Sequence, residues 1–208
     1  MIIAVLLLSA AALAPMNGLC DPPPALKGEA LIRALQGGGY TLLFRHTARV
    51  TNVTESQDRV VLTDCSTQLP LTELGRAQAR AVGEALRKLG IRLGESIASP
   101  FCRTLETART IAGHARADNA VLGHADGSFK SAMNFAPLIA IMATPPQPGT
   151  NRLIVGHSSA FDNVAGDGPS LEEGECGIFR IVDRRPVLVA RLRVEDWQAY
   201  LSSANKRR

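Results

Sequence analysis

Apolar and polar positions alternate between two periods along this chain. Leu26, Ala30, Leu31, Ala34 and Leu35 recur at helical spacing, predicting a helix over 25–35 that three glycines at 37–39 stop. Tyr40-Thr41-Leu42-Leu43-Phe44 is a short apolar run bounded by glycine, the pattern of a buried strand. A long polar loop follows over 47–69. Leu74, Ala77, Ala81, Val82, Ala85, Leu86 and Leu89 then form a second helical stripe, with Thr72 as candidate cap and Gly90 as its end. Residues 96–99 predict a second strand. Pro100 opens a helix that runs to Ala112, since proline suits a first helical turn. A weaker helix is expected over 131–142, broken by the prolines of 145–149. Arg152-Leu153-Ile154-Val155 predicts a third strand running straight into Gly156-His157-Ser158. Residues 176–182 and 186–192 read as a hairpin, and 195–203 as a closing helix. Strands alternating with helices argue an α/β fold: three α/β/α layers around a mainly parallel sheet.

The first fourteen residues are apolar and uncharged, then Pro15, Asn17 and Gly18 interrupt them. That run is short for a membrane span, which needs about 20 apolar residues. It is expected to be a signal peptide over residues 1–20, with periplasmic or secreted localisation for a single domain over 21–208. An uncleaved anchor and a lipidated Cys20 are the alternatives. Asp21-Pro22-Pro23-Pro24 reads as a stiff linker. With 208 residues, 46% hydrophobic and 20% charged, the chain suits one globular core and no stable membrane span after signal removal. The net charge of +4 is mild, and aromatics are only 4%, so no basic stripe interleaved with aromatics argues for nucleic acid. The four cysteines, Cys20, Cys65, Cys102 and Cys176, fit no zinc spacing.

In such folds ligands bind beyond the carboxyl ends of the strands. Arg45-His46 directly follows the first predicted strand, Arg103 lies in the first turn of the helix after the second, and His157 directly follows the third. Two of only four histidines therefore stand at strand exits. The residue types suit one task. Two arginines offer forked donors that match phosphate oxygens. A neutral imidazole is a competent nucleophile toward phosphorus. A second imidazole, protonated, stabilises the equatorial oxygens in the transition state. Backbone N–H groups in the first turn after Pro100 offer a further anion contact.

These blocks resemble the histidine phosphatase superfamily, which includes the phosphoglycerate mutases. Leu43-Phe44-Arg45-His46-Thr47 stands where that family has a strand ending in Arg-His-Gly, and Asn52 lies six positions after the histidine. Leu71-Thr72-Glu73-Leu74-Gly75-Arg76-Ala77-Gln78-Ala79 is similar to its second block. Ala98-Ser99-Pro100-Phe101-Cys102-Arg103-Thr104 is similar to its third, and Leu153-Ile154-Val155-Gly156-His157-Ser158 to its fourth. Four blocks in order, over about 40–160, make the match specific. The closest variety is an exported one, with Asp64-Cys65-Ser66-Thr67-Gln68 before the second block.

The resemblance implies a phosphoglycerate mutase-like fold and a phosphomonoesterase with His46 as the nucleophile that becomes phosphohistidine. Arg45, Arg103 and His157 would complete the phosphate pocket, with Asn52 as a further contact. Arg49 either reads the substrate or faces water. The substrate is expected to be a small-molecule phosphate ester, and no metal or organic cofactor is expected. Cys65 and Cys102, both in segments brought near this site, are the preferred disulfide pair, against two buried free thiols. Thr47 replaces the usual glycine, which makes the substrate approach bulkier. The proton donor is open. No glutamate lies between Glu106 and His157, so Glu175 and Asp126 are the candidates, with Asp162, water, or an undemanding leaving group behind them. A non-catalytic phospholigand-binding envelope protein, and a mutase or phosphoprotein phosphatase, are the rival readings. His114 and His124 are expected as bystanders, Trp197 and Tyr200 as packing.

Overall fold

A computed structural model describes residues 25–53, 55, 59–124, 127, 129 and 131–206. The expected signal peptide over 1–20, Cys20, the prolines of 21–24 and Asp126 lie outside the described residues.

Six strands form one sheet in the order β3-β2-β4-β1-β5-β6. They are β1 (Tyr40–Arg45), β2 (Leu93–Ala98), β3 (Arg116–Ala117), β4 (Asn151–Gly156), β5 (Cys176–Val182) and β6 (Arg185–Leu192). β4 pairs in parallel with both β1 and β2, and β3 extends the parallel part. β5 runs antiparallel to β1 and β6 antiparallel to β5. The helices are α1 (Gly28–Gly37), α2 (Glu73–Lys88), α3 (Cys102–Ala112), α4 (Asn119–Leu122), α5 (Ala136–Met142), α6 (Ser158–Ala165) and α7 (Val194–Asn205).

The strand period of two sorts the apolar residues onto two faces. Leu42, Phe44, Leu153, Val155 and Ile178 pack with Leu31, Leu86, Ile111 and Trp197, under α1, α2, α3 and α7. Leu43, Ile97, Ile154 and Phe179 point the other way, to Val121, Leu138 and Phe161 of α4, α5 and α6. That is why β1 and β4 read as continuous apolar runs: both faces are covered. The expected three-layer α/β/α architecture with a mainly parallel sheet is therefore present. Trp197 stacks on Phe44 with ring centroids 6.4 Å apart, and the Tyr200 hydroxyl accepts from the Gly28 N–H, so both serve packing.

Some elements differ from the expected ones. The helix expected over 131–142 starts only at Ala136. β2 begins at Leu93, and β3, α4 and α6 were not anticipated. α2 matches closely: the Thr72 hydroxyl accepts from the Gly75 N–H as a cap.

The sheet decides where chemistry collects. Arg45 pairs with Gly156, and Ala98 with Val155, so β1, β2 and β4 end at one edge. β5 starts at that same edge because it is antiparallel, with Cys176 opposite Phe44. The turn over 171–175 is thus delivered to the exits of β1 and β4.

Candidate active site

The nucleophile candidate is fixed by backbone on both sides. The His46 N–H donates to the Gly156 carbonyl at 3.0 Å. Its Nδ1 lies 2.9 Å from the Thr47 carbonyl. A carbonyl only accepts, so Nδ1 carries the hydrogen and Nε2 keeps its lone pair. The ring is 2% exposed. Burial pushes its pKa down to about 3; the Thr47 carbonyl opposes this, while Arg103, Arg45 and Arg49 add to it by repulsion. His46 is therefore neutral near pH 7.

His157 meets His46 edge to face, with centroids 5.5 Å apart, and its Nε2 is 3.2 Å from the Ser99 hydroxyl. Burial, then the charges of His46, Arg103, Arg45 and Arg49, hold its pKa well below the usual imidazole range. The site by itself therefore does not favour the protonated second imidazole expected from the sequence. An anion bound beside it would offset the arginines and favour protonation.

Three arginines surround the pair, and each is already engaged. Arg45 donates to the Leu171 carbonyl at 3.0 Å and to Glu173 at 3.4 Å. Arg49 donates to the same carboxylate through its backbone N–H at 3.1 Å and forms an ion pair with it through Nε at 3.4 Å. Its guanidinium thus lies between Glu173 and the Val50 carbonyl, to which Nη1 donates at 3.0 Å. Arg103 is 5% exposed, lies over the Phe101 ring at 4.3 Å, and grips Glu55 through both Nη atoms at 2.8 and 3.0 Å. Its Nε is buried without a partner among the described residues. A buried donor left unpaired is uncommon in folded proteins and marks a place for an acceptor. Asn52, by contrast, is exposed on the loop, and its side chain has no partner among the described residues.

Neither Glu55 nor Glu173 was anticipated, although each contacts the arginines. Glu173 hid in the acidic run 172–175, where Glu175 was preferred. The structure places the Glu175 carboxylate against Arg191 instead of the three arginines of the site. The Glu175 carboxylate accepts from Arg191 Nε at 3.0 Å and Nη2 at 2.9 Å, and from the Glu172 N–H at 2.9 Å. Burial raises its pKa, but Arg191 and the Glu172 N–H outweigh burial and hold it below the usual carboxylate value. The arginine partner of this carboxylate is Arg191, and among the described residues the carboxylate bonds none of Arg45, Arg49 and Arg103. Asp162 accepts from the Ser170 hydroxyl at 2.8 Å through Oδ2, and its Oδ1 is buried without a partner among the described residues.

The two departures around His46 have local explanations. The Thr47 side chain turns to α3, where its hydroxyl lies 3.2 Å from the Thr107 hydroxyl, and it is 1% exposed. It packs away from the approach to the histidine instead of crowding it. The first turn of α3 is partly taken: the Cys102 N–H donates to Gln68 Oε1 at 2.8 Å. Cys65 and Cys102 form a disulfide, with Cα atoms 5.7 Å apart, that pins the 47–69 loop beside Arg103. Cys176 is a buried free thiol. His114 bonds the Gly94 carbonyl away from this edge. His124 is buried against Phe129, at 5.5 Å, and Phe129 in turn meets Phe101 at 5.8 Å. Among the described residues no group of histidine, cysteine and carboxylate side chains is arranged to hold a metal ion, and no helix is long and apolar enough to cross a membrane.

The sequence profile of the histidine phosphatase superfamily (branch 1) matches residues 41–122, a span that holds Arg45, His46 and Arg103. Over that span the chain is similar to the histidine phosphatase superfamily. His157 falls beyond the matched span, and the parallel pairing of β4 with β1 brings it back to His46. Solved structures share the fold of this chain. The protein histidine phosphatase SixA, in complex with tungstate, superposes with a TM-score of 0.54 at 11% identity, over 76% of this chain and 98% of that one. The protein TTHB049 from Thermus thermophilus gives 0.50 at 17% identity, over 74% and 99%. At these identities the likeness is one of fold. No curated protein matches the sequence.

Proposed function

We propose that this chain is a histidine phosphatase, a phosphomonoesterase that works outside the cytoplasm through a phosphohistidine on His46. The observation that carries the reading is the state of that residue: neutral, Nδ1 tied to the Thr47 carbonyl, Nε2 free, and surrounded by Arg45, Arg49 and Arg103. A neutral imidazole attacks phosphorus, and forked guanidinium donors bind the phosphoryl oxygens. The unpaired Nε of Arg103 supplies a waiting donor.

Nε2 attacks phosphorus, and the N–P bond forms as the bond to the alcohol oxygen breaks. Arg45, Arg103 and His157 hold the equatorial oxygens, where charge spreads in the transition state. Arg49 and Asn52 are the outer contacts. Water then attacks phosphorus, the N–P bond breaks, and its electron pair returns to Nε2. The route needs no metal or organic cofactor, and its substrate is a small phosphate ester. The extracytoplasmic setting is supported by the apolar run of residues 1–14 and by the Cys65–Cys102 disulfide, since disulfides persist in oxidising compartments.

The test is a phosphate-ester panel run on wild type and on His46→Ala with retained fold. Hydrolysis lost in the variant, with an acid-labile phosphoryl label on wild type alone, is the expected result. Full activity in the variant refutes the assignment. Phosphate binding without turnover across the panel would favour a non-catalytic phospholigand-binding protein.

A further inference from the structure

We propose that Glu55 is the proton donor to the leaving oxygen and, in the second step, the acceptor of a proton from water. The inference rests on the phosphomonoesterase reading above. Among the described residues Glu55 is one of two carboxylates that touch the three arginines of the site, and it is the one built around Arg103. A guanidinium has five N–H donors on two usable edges. Glu55 occupies the edge formed by the two Nη atoms, at 2.8 and 3.0 Å. The other edge combines Nε–H with the remaining Nη2–H, and its Nε is the buried donor without an acceptor. A phosphoryl oxygen that reaches this buried, unpaired edge shares Nη2 with Glu55. The ester is thereby set beside the carboxylate, with both on one rigid plane.

Two further contacts favour this residue. The Leu69 N–H donates to Glu55 Oε1 at 2.9 Å, and the neighbouring disulfide ties that loop to α3, so the carboxylate is positioned on a loop that is otherwise polar and long. Oε2, the oxygen on the shared Nη2, takes no second bond from the described residues and is free to carry a proton. Glu173 is differently placed. It accepts from Arg45 and from the Arg49 N–H and pairs with the Arg49 guanidinium, so it keeps a cation even after phosphate takes Arg45.

The proton balance closes without another reactant. A phosphomonoester monoanion arrives with one proton. Two anions side by side on one guanidinium favour sharing that proton between them. As His46 Nε2 forms its bond to phosphorus, the P–O bond to the alcohol breaks and the leaving oxygen takes the proton from Glu55 Oε2. The carboxylate that remains removes a proton from the incoming water when phosphohistidine is hydrolysed. The water oxygen bonds to phosphorus, and His46 leaves as the neutral ring.

The test compares wild type, His46→Ala and Glu55→Gln on an alkyl phosphate, whose alkoxide needs a proton, and on p-nitrophenyl phosphate, whose phenolate needs little. Folding of each variant is checked by its unfolding transition. General acid catalysis contributes about 100-fold or more. Glu55→Gln should therefore lower kcat on the alkyl ester by about that factor and lower the ratio of alkyl to aryl kcat by at least about tenfold. Binding of inorganic phosphate should be retained, since Gln still accepts from Arg103. Glu55→Asp, with its carboxylate one methylene back, should shift the ratio the same way but less. An equal loss on both esters, or a loss only in phosphate affinity, overturns the proton-donor role and leaves Glu55 as a support for Arg103. Turnover of both esters at the wild-type rate in Glu55→Gln also overturns it. In all of these, wild type is active and His46→Ala is not. A wild type inactive on every ester overturns the phosphatase reading itself, and this proposal with it.

Discussion

Burying a neutral histidine among arginines has a thermodynamic consequence that can be measured without knowing the substrate. The imidazole has an ordinary pKa near 6.5 in the unfolded chain, and the folded protein lowers it to about 3. Over that interval the unfolded state binds the proton and the folded state does not. Stability therefore falls as pH falls: the loss begins near 6.5 and is complete only below about 3. Inside that window each pH unit removes about 1.4 kcal/mol, so moving from pH 7 to pH 4 removes about 3 kcal/mol through His46 alone. His157 acts in the same direction. The perturbation is His46→Asn, whose amide can still donate to the Thr47 carbonyl but does not titrate. Urea unfolding at pH 7 and pH 4 gives the free energies for both proteins. The variant is expected to lose about 3 kcal/mol less than wild type on acidification, whatever its stability at pH 7. Parallel losses in the two proteins would refute the claim that His46 is held neutral by its surroundings.

Glu175→Gln breaks a two-pronged pair with Arg191 near the start of β5 and should lower stability by about 1–3 kcal/mol while changing kcat less than a few-fold, read by urea unfolding and ester kinetics. A loss of kcat on the scale of a missing general acid would restore Glu175 as proton donor. Replacing both Cys65 and Cys102 with serine frees a loop closed across 37 residues, which loop entropy values at about 4 kcal/mol. The midpoint in urea should drop accordingly, and the same drop should follow reduction of the wild-type protein but not of the double variant.

The parts of the fold legible in the sequence are those where burial on both faces leaves a simple pattern. β1 and β4 are apolar runs bounded by glycine, and each is followed at once by a titratable residue, so the two histidines could be placed at one edge from the pattern alone. α2 was legible because its stripe, cap and terminal glycine agree. α6 was missed because it is only eight residues long and opens on two serines, which read as a loop; Ala160, Phe161 and Val164 were its main apolar signal. β3 is two residues long and half of it is arginine, so nothing in its pattern marks a strand.

The carboxylates were illegible for a different reason: a partner in tertiary structure leaves no period behind. Glu55 lies 48 positions before Arg103, in a polar loop whose course is set by the Leu69 N–H, by Gln68 bonding to α3, and by a disulfide. Glu173 and Glu175 flank Gly174, whose φ of +82° turns the chain between them. One is thereby aimed at the exit of β1, toward Arg45 and Arg49. The other enters β5, where antiparallel pairing sets Arg191 of β6 opposite Gly177, within diagonal reach of Glu175. From residue types alone the two glutamates are equivalent, and strand alternation after one glycine decides which reaches the arginines. The same logic separates the two kinds of charge in the site. The cations stand on or beside strand exits and a helix start, where the sheet fixes them. The anions come from loops, so the pocket pairs rigid cations with carboxylates that an entering phosphate can displace or use.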